Sequence, residues 1–359
     1  MDPVNLSEFE PLARERMAQQ AFDYVSGGAD DEISMKENRA AFARLALLPR
    51  VLIDVSTVDT STRVLNQDIS FPVMVAPTAF QTLAHADGEL ATARATTAAG
   101  TIMIVSTLAS HRLEDIAAAA PGPKWFQLYC YKERSVTQEL VKRAETNGYQ
   151  AICVTVDVPR LGRRERDFRN QFTLPPDVVP RNFEGVADLA GIDPAEHGSH
   201  LTAHIASLLD DSLTWDDIDW LKSITTLPLI LKGILATEDA KLASEVGVAG
   251  IVVSNHGGRQ LDGVVTALDV LPDIVSAVGD RVEVFMDGGI RRGTDVVKAL
   301  ALGARAVLLG RPSVWGLAAD GEAGVTKVLH MLRDEVELAL ALCGCPNVAA
   351  VSSELVRSR

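Results

Sequence analysis

Beyond residue 70 one hydropathy pattern recurs eight times: a short unbroken aliphatic run, a few polar or glycine residues, then a segment with apolar positions at helical spacing. The aliphatic runs are FPVMVAPTA (71–79), GTIMIVSTL (100–108), KWFQLY (124–129), AICVTVDVP (151–159), PLILKGI (228–234), AGIVVSNHG (249–257), VEVFMDGGI (282–290) and ARAVLLGRP (304–312). Continuous rather than alternating apolar character is what parallel strands covered on both faces require. Intervening stretches such as DGELATARATTAAG (87–100) and SVTQELVKRAETNG (135–148) read as helices. Strands alternating with helices predict βαβ units, and eight of them predict an α/β chain closed into a (β/α)8 TIM barrel. The rival is a doubly wound sheet, which would carry a G-x-G-x-x-G turn after an early strand if it bound a dinucleotide. No such turn follows any of the eight runs.

The flanks fit one domain spanning 1–359. Residues 1–50 read as a helical segment, with Ser7 and Glu10 as a capping box ahead of Leu12 and Gly27-Gly28 as a helix stop. Residues 313–359 read as C-terminal helices. There GEAGV (321–325) leads into VLHMLRDEVELAL, expected to pack on the N-terminal helices or on another subunit. The connection between the fourth and fifth strands, 160–227, is too long for one helix and reads as an excursion at the active-site end. Over 177–211 it carries Asp177, Glu184, Asp188, Asp193, Glu196, Asp210 and Asp211 against Arg181, a charge pattern that anionic lipid would repel. Trp215 and Trp220 are expected to pack a helix against the barrel.

Composition narrows the class. The formal net charge of −14 disfavours nucleic acid or an anionic membrane as partner. Cys130, Cys153, Cys343 and Cys345 show no C-x-x-C spacing, and the first two sit in apolar runs as buried thiols. His197, His200 and His204 are spaced as metal ligands could be, but no cysteine accompanies them and no metal is expected. MDPVNLSEFEPLARE has no basic start with an apolar run, LVRSR is no peroxisomal address, and no 18-residue apolar window occurs. The expectation is a cytoplasmic, membrane-free protein.

In such barrels the active site forms at the C-terminal strand ends, and here those ends are polar. They are Pro77-Thr78-Ala79, Ser106, Gln127 with Tyr129, Thr155 with Asp157, Lys232, Ser254 with His256 and Arg259, Asp287-Gly288-Gly289, and Gly310-Arg311. Any one alone is a turn former or cap; eight together mark a site. The seventh and eighth ends set glycines, which allow close backbone approach, beside Arg291 and Arg311, a combination suited to a phosphate dianion. One phosphate site without a dinucleotide turn predicts FMN or a phosphorylated substrate. Lys232 ends an aliphatic strand and needs a negative partner. A reduced flavin is one reading; a Schiff-base lysine of a lyase or isomerase is another. His256 can act as a base near neutral pH. Arg164 and Arg259 are forks that fit a carboxylate, and Asp157 can pair with protonated His256. Base, carboxylate clamp and electron sink together describe oxidation of an α-hydroxy acid. The plainer alternative makes His256 a cap and Arg259 a surface charge.

The runs SNHGGRQLDG (254–263), PTAFQTLAHADGE (77–89), WFQLY (125–129), TVDVPRLGRR (155–164), LGRRERD (161–167), LKGI (231–234) and DGGIRRGTD (287–295) resemble the FMN-dependent α-hydroxy acid oxidase and dehydrogenase family, which includes glycolate oxidase and L-lactate oxidase. The resemblance extends from FDYVSGGADDE (22–32) to MLRDEVELALALCGC (331–345). It implies that Pro77, Thr78, Ala79, Ser106, Gln127, Thr155, Lys232 and Ser254 line the flavin ring and ribityl chain. Asp287, Gly288, Gly289, Arg291, Gly310 and Arg311 would hold the ribityl end and phosphate. Tyr24, Arg164 and Arg259 would bind the substrate carboxylate, Tyr129 its hydroxyl, and His256, supported by Asp157, would be the base. Leu108 stands where plant-type glycolate oxidases show tryptophan, which leaves room beside the substrate Cα and favours L-lactate over strict glycolate specificity. The implied activity is oxidation of (S)-2-hydroxy acids to 2-oxo acids with O2 reduced to H2O2, by a homotetramer or octamer. A dehydrogenase passing electrons to another acceptor is the alternative.

Overall fold

The computed structural model describes residues 2–184, 186 and 207–359. At its centre eight parallel strands close into a barrel: β1 (Val73–Val75), β2 (Met103–Val105), β3 (Lys124–Leu128), β4 (Ile152–Thr155), β5 (Leu229–Ile234), β6 (Gly250–Val253), β7 (Glu283–Asp287) and β8 (Ala306–Leu309), with β8 bonded back to β1. Each lies within one of the aliphatic runs and is shorter than it, because the polar residues at the C-terminal side leave the ladder and become the loops of the rim. Register slips once, between Lys232 and Ile234 of β5. Gly233 forms that bulge with φ +114°, and a Cβ there would lie 2.5 Å from the Asp157 Cβ. Only glycine leaves space for Asp157.

Met74, Ile104, Trp125, Cys153, Ile230, Val252, Phe285 and Leu308 form one buried cluster in the barrel's interior. Trp125 meets Phe285 edge to face at 5.6 Å. A hairpin of two short strands, Thr62–Val64 and Gln67–Ile69, adds Val64 and Ile69 to this cluster. The Leu65 N–H bonds the Glu283 carboxylate at the start of β7, so the hairpin plugs the N-terminal end of the barrel. Its strands TRV and QDI carry one apolar residue each and form no aliphatic run, so this hairpin is not legible in the chain's pattern.

The N-terminal segment contributes α1 (Phe9–Arg16), α2 (Gln19–Ser26) and α3 (Ile33–Ala43). Around the strands run α4 (Gly88–Ala98), α5 (Leu113–Ala119), α6 (Arg134–Thr146), α8 (Trp215–Ile224), α9 (Thr237–Glu245), α10 (Ala267–Val278), α11 (Gly293–Ala301) and α12 (Arg311–Cys343); α7 (Glu165–Arg169) lies in the excursion after β4. A second apolar layer fills the space between strands and helices, with Trp215 and Trp220 of α8 packed on it. Helix α12 breaks at Asp320 and Gly321, where the GEAGV run begins, and packs on α1 and α4.

Three local readings are corrected. Ser7 and Glu10 form no capping box. The chain enters one turn earlier through a 3-10 turn at Leu6–Glu8, with the Asn5 side chain accepting from the Ser7 N–H. Residues 1–50 are not wholly helical, and 313–359 do not end in helix: Leu45–Leu47 pairs antiparallel with Val356–Ser358 and ties the two segments together. His197, His200, His204, Asp188, Asp193 and Glu196 lie outside the described residues. Cys130 and Cys153 are buried free thiols. Among the described residues no helix is long and apolar enough to cross a membrane.

Candidate active site

The strand ends converge on one cavity of about 870 Å³ at the C-terminal rim. Tyr24, Pro77, Thr78, Ala79, Ser106, Leu108, Gln127, Tyr129, Thr155, Arg164, Lys232, His256, Arg259, Asp287, Gly288, Gly289, Arg291, Gly310 and Arg311 all line it. Asp157 and Ser254 stand behind the lining. Ser254, expected beside the flavin, is fully buried there and joins three neighbours. Its Oγ donates to Asp287 Oδ1 at 2.6 Å and accepts from Lys232 Nζ and the His256 N–H, each at 3.0 Å.

His256 follows β6 with φ +58° and precedes two further left-handed residues, Gly257 and Gly258. A non-glycine residue held there costs ~1–3 kcal/mol, which a packed surrounding must sustain. That tight corner turns the imidazole toward Asp157, with Nδ1 and Oδ1 2.9 Å apart. Burial lowers the His256 pKa from its ordinary value; Asp157 opposes this, while Lys232 and Arg164 add to it. Burial alone would raise the Asp157 pKa, but His256 and Lys232 outweigh it and hold the carboxyl below its usual range. The pair therefore rests as neutral imidazole and carboxylate. Since the carboxylate only accepts, Nδ1 carries the hydrogen and Nε2 the free lone pair.

Lys232 pairs with Asp287 Oδ2 at 3.0 Å. Burial disfavours its charge, yet Asp287 and Asp157 overcome this and raise its pKa. An ammonium held this firmly is a poor Schiff-base nucleophile. Ser106 Oγ, Gln127 and Thr155 Oγ1 form a hydrogen-bonded row across β2, β3 and β4, at 3.3 and 3.0 Å. Tyr129 is pushed up to about 12 by burial and then by Asp157, so its hydroxyl stays a donor.

Four part-buried arginines, Arg164, Arg259, Arg291 and Arg311, line the cavity, and none has a carboxylate within ion-pair distance among the described residues. Arg259 Nη1 donates to the carbonyls of Tyr24, Val25 and Gly27 at the C-terminus of α2. The Gly27 carbonyl also accepts from Arg311 Nη2 at 2.9 Å. The helix end thus offsets part of both charges. Arg164 and Arg259 lie 5.8 and 5.3 Å from the Tyr24 ring, which stacks on Phe172. Arg291 stacks on Trp315 beside the Gly288-Gly289 corner. Burial and then Arg164 push Arg259 down to about 9, and burial with neighbouring arginines brings Arg291 and Arg311 to about 10. This much uncompensated positive charge calls for anions. Arg311 Nε, Arg164 Nε and Asp157 Oδ2 are moreover buried without a protein partner, and such atoms need a ligand or water.

The chain matches the FMN-dependent dehydrogenase family over residues 13–358. It belongs to that family. Among similar proteins, glycolate oxidase 3 of Arabidopsis thaliana is 53% identical over 100% of this chain and 97% of its own length. L-lactate oxidase of Nostoc sp. is 51% identical over 99% and 98%. A mandelate oxidase structure with (S)-mandelic acid superposes with TM-score 0.89 at 43% identity, covering 100% and 99%, and a chimera of (S)-mandelate dehydrogenase with TM-score 0.92 at 38%, covering 100% of each chain.

As a member of the FMN-dependent dehydrogenases the chain uses FMN, and its donor set fits that group. The glycine corners at 288–289 and 310, the start of α12, Arg291 and Arg311 suit a phosphate. The amide and hydroxyl row on β2 to β4 and the Lys232 ammonium suit a polar heterocycle. Family resemblance carried all these residues, but several neighbours went unread. Asn38 of α3 and Asn255 exchange reciprocal amide bonds at 2.8 and 2.9 Å, pinning the His256 corner. Asn255 stands inside SNHGG, whereas nothing marks Asn38. Phe80, Leu174 and Val178 form an apolar cluster joined by Leu108 and Phe172, a wall beside the substrate end.

Proposed function

We propose that this FMN-dependent hydroxy acid oxidase converts (S)-2-hydroxy monocarboxylic acids, L-lactate ahead of glycolate, to 2-oxo acids and delivers the electrons to O2 as H2O2. The observation that carries the reading is four part-buried arginines without carboxylate partners in one cavity with the His256–Asp157 pair. Arg291 and Arg311 are assigned to the cofactor phosphate. Arg164, Arg259 and the Tyr24 hydroxyl are assigned to the substrate carboxylate, which replaces the missing counter-charge. Tyr129 donates to the substrate oxygen.

Bound FMN supplies the two-electron acceptor. His256 Nε2 takes a proton from the substrate, and Asp157 stabilises the imidazolium that results. The substrate loses two electrons and two protons, and O2 gains the same. Leu108 and the apolar wall accommodate a methyl group on Cα, which supports lactate over glycolate. Purified protein should be yellow and bleach anaerobically with L-lactate. Turnover of glycolate, L-lactate, longer 2-hydroxy acids and mandelate, with peroxide measured in parallel, ranks substrates and separates oxidase from dehydrogenase. A flavin-free preparation that FMN cannot reconstitute, or turnover without peroxide, overturns the reading.

A further inference from the structure

Asp167, in the first turn of α7, lines the same cavity as Arg164 and Arg259. Its carboxylate makes no hydrogen bond or ion pair with any described residue, although both arginines act on it electrostatically. The neighbouring acids on this side behave differently: Asp23 and Glu32 are tied to Arg166, and Glu165 to Arg169. Its backbone carbonyl accepts from the Phe172 N–H at 2.8 Å, which sets Asp167 beside the aromatic part of the apolar wall. An acid beside two unpaired arginines would ordinarily close on one of them. This one is left facing the cavity.

An exposed cation stands at the mouth of the cavity. Arg163 is exposed, lines the mouth and makes no ion pair among the described residues, and Arg160 reaches only Asp211 at 3.8 Å. Such a charge draws every anion alike and cannot tell one carboxylate from two. Discrimination needs a negative group further in, where a second substrate charge would meet it.

Resting on the functional reading above, we infer that Asp167 sets charge selectivity, admitting 2-hydroxy monocarboxylates and rejecting 2-hydroxy acids whose side chain bears a second carboxylate. The substrate's own carboxylate is held by Arg164 and Arg259. The Cα substituent then extends along the Phe172 side, where an alkyl group meets apolar surface and a carboxylate meets Asp167, Arg164 and Arg259 being already engaged by the first carboxylate.

The test compares kcat/KM for L-malate, L-lactate and 2-hydroxybutyrate in the wild-type holoenzyme, Asp167→Asn and Asp167→Glu. In Asp167→Asn the malate-to-lactate ratio should rise about tenfold, the scale of one like-charge contact removed. The hydroxybutyrate-to-lactate ratio should stay level, which separates charge from a change of pocket shape, and Asp167→Glu should still reject malate. A malate-to-lactate ratio unchanged in Asp167→Asn, with lactate turned over, overturns this inference alone. A wild-type holoenzyme that oxidises none of the three acids overturns the functional reading and the inference with it.

Discussion

Replacing Asp157 by asparagine tests the chemistry most directly. The carboxylate sits 2.9 Å from His256 Nδ1, and both side chains are largely buried. When Nε2 accepts the substrate proton, the ring becomes a cation whose nearest anion is Asp157. A hydrogen bond to a charged group contributes a net ~1.5–3 kcal/mol. Losing it in the reacting complex lowers kcat by about 10- to 150-fold. A second signature follows from the pKa. The free enzyme is active with His256 neutral, and burial already lowers its pKa, so the acid limb of kcat/KM lies below the ordinary value of about 6.5. Asp157 is the main group raising that pKa against burial. Its removal lowers the pKa further, and the acid limb moves to lower pH even as the rate falls. Oxygen uptake or peroxide release, measured across pH in both proteins at equal flavin content, reads both quantities. A kcat within about threefold of wild type, a difference under ~0.7 kcal/mol, together with an unmoved acid limb, would refute the assignment of this pair.

Three further outcomes follow from the geometry. Gly233→Ala places a methyl 2.5 Å from the Asp157 Cβ at φ +114°, so the rate should drop to the Asp157→Asn range while the flavin spectrum is retained; normal kinetics would show that the bulge is not needed. Lys232→Met strands Asp287 as a buried unpaired anion, at a cost of about 3–5 kcal/mol, to be read as a lower unfolding midpoint and weaker FMN retention in thermal and dialysis assays. Leu108→Trp should shift the lactate-to-glycolate ratio of kcat/KM toward glycolate by ~1–3 kcal/mol, roughly 5- to 150-fold, and an unchanged ratio would remove Leu108 from the substrate pocket.

Local chemistry carried much of this. Runs such as AICV at the start of β4 and PLIL at the start of β5 are apolar on both faces, a property that declares a buried parallel strand, so the eight-fold barrel was legible in the chain. Polar residues ending those runs were legible as a site for the same reason: lysine, aspartate and histidine are too costly to desolvate at the end of a buried strand without function or partner. What the chain alone determined was therefore the set of groups and the end of the barrel they share. Closure of the barrel decided the pairings. His256 meets Asp157, 99 residues away, the one pairing already expected from the chain, and the fold sets its 2.9 Å geometry. Lys232, for which the chain offered no counter-ion within the protein, has Asp287 beside it. Ser254 joins the two through its hydroxyl. The carbonyls at the end of α2, which steady Arg259 and Arg311, come from an N-terminal segment with no periodic relation to the barrel. Side-chain identity and hydropathy period are properties of neighbours along the chain, whereas a counter-ion or an unpaired carboxylate such as Asp167 is a property of neighbours in space, and only the tertiary packing specifies those.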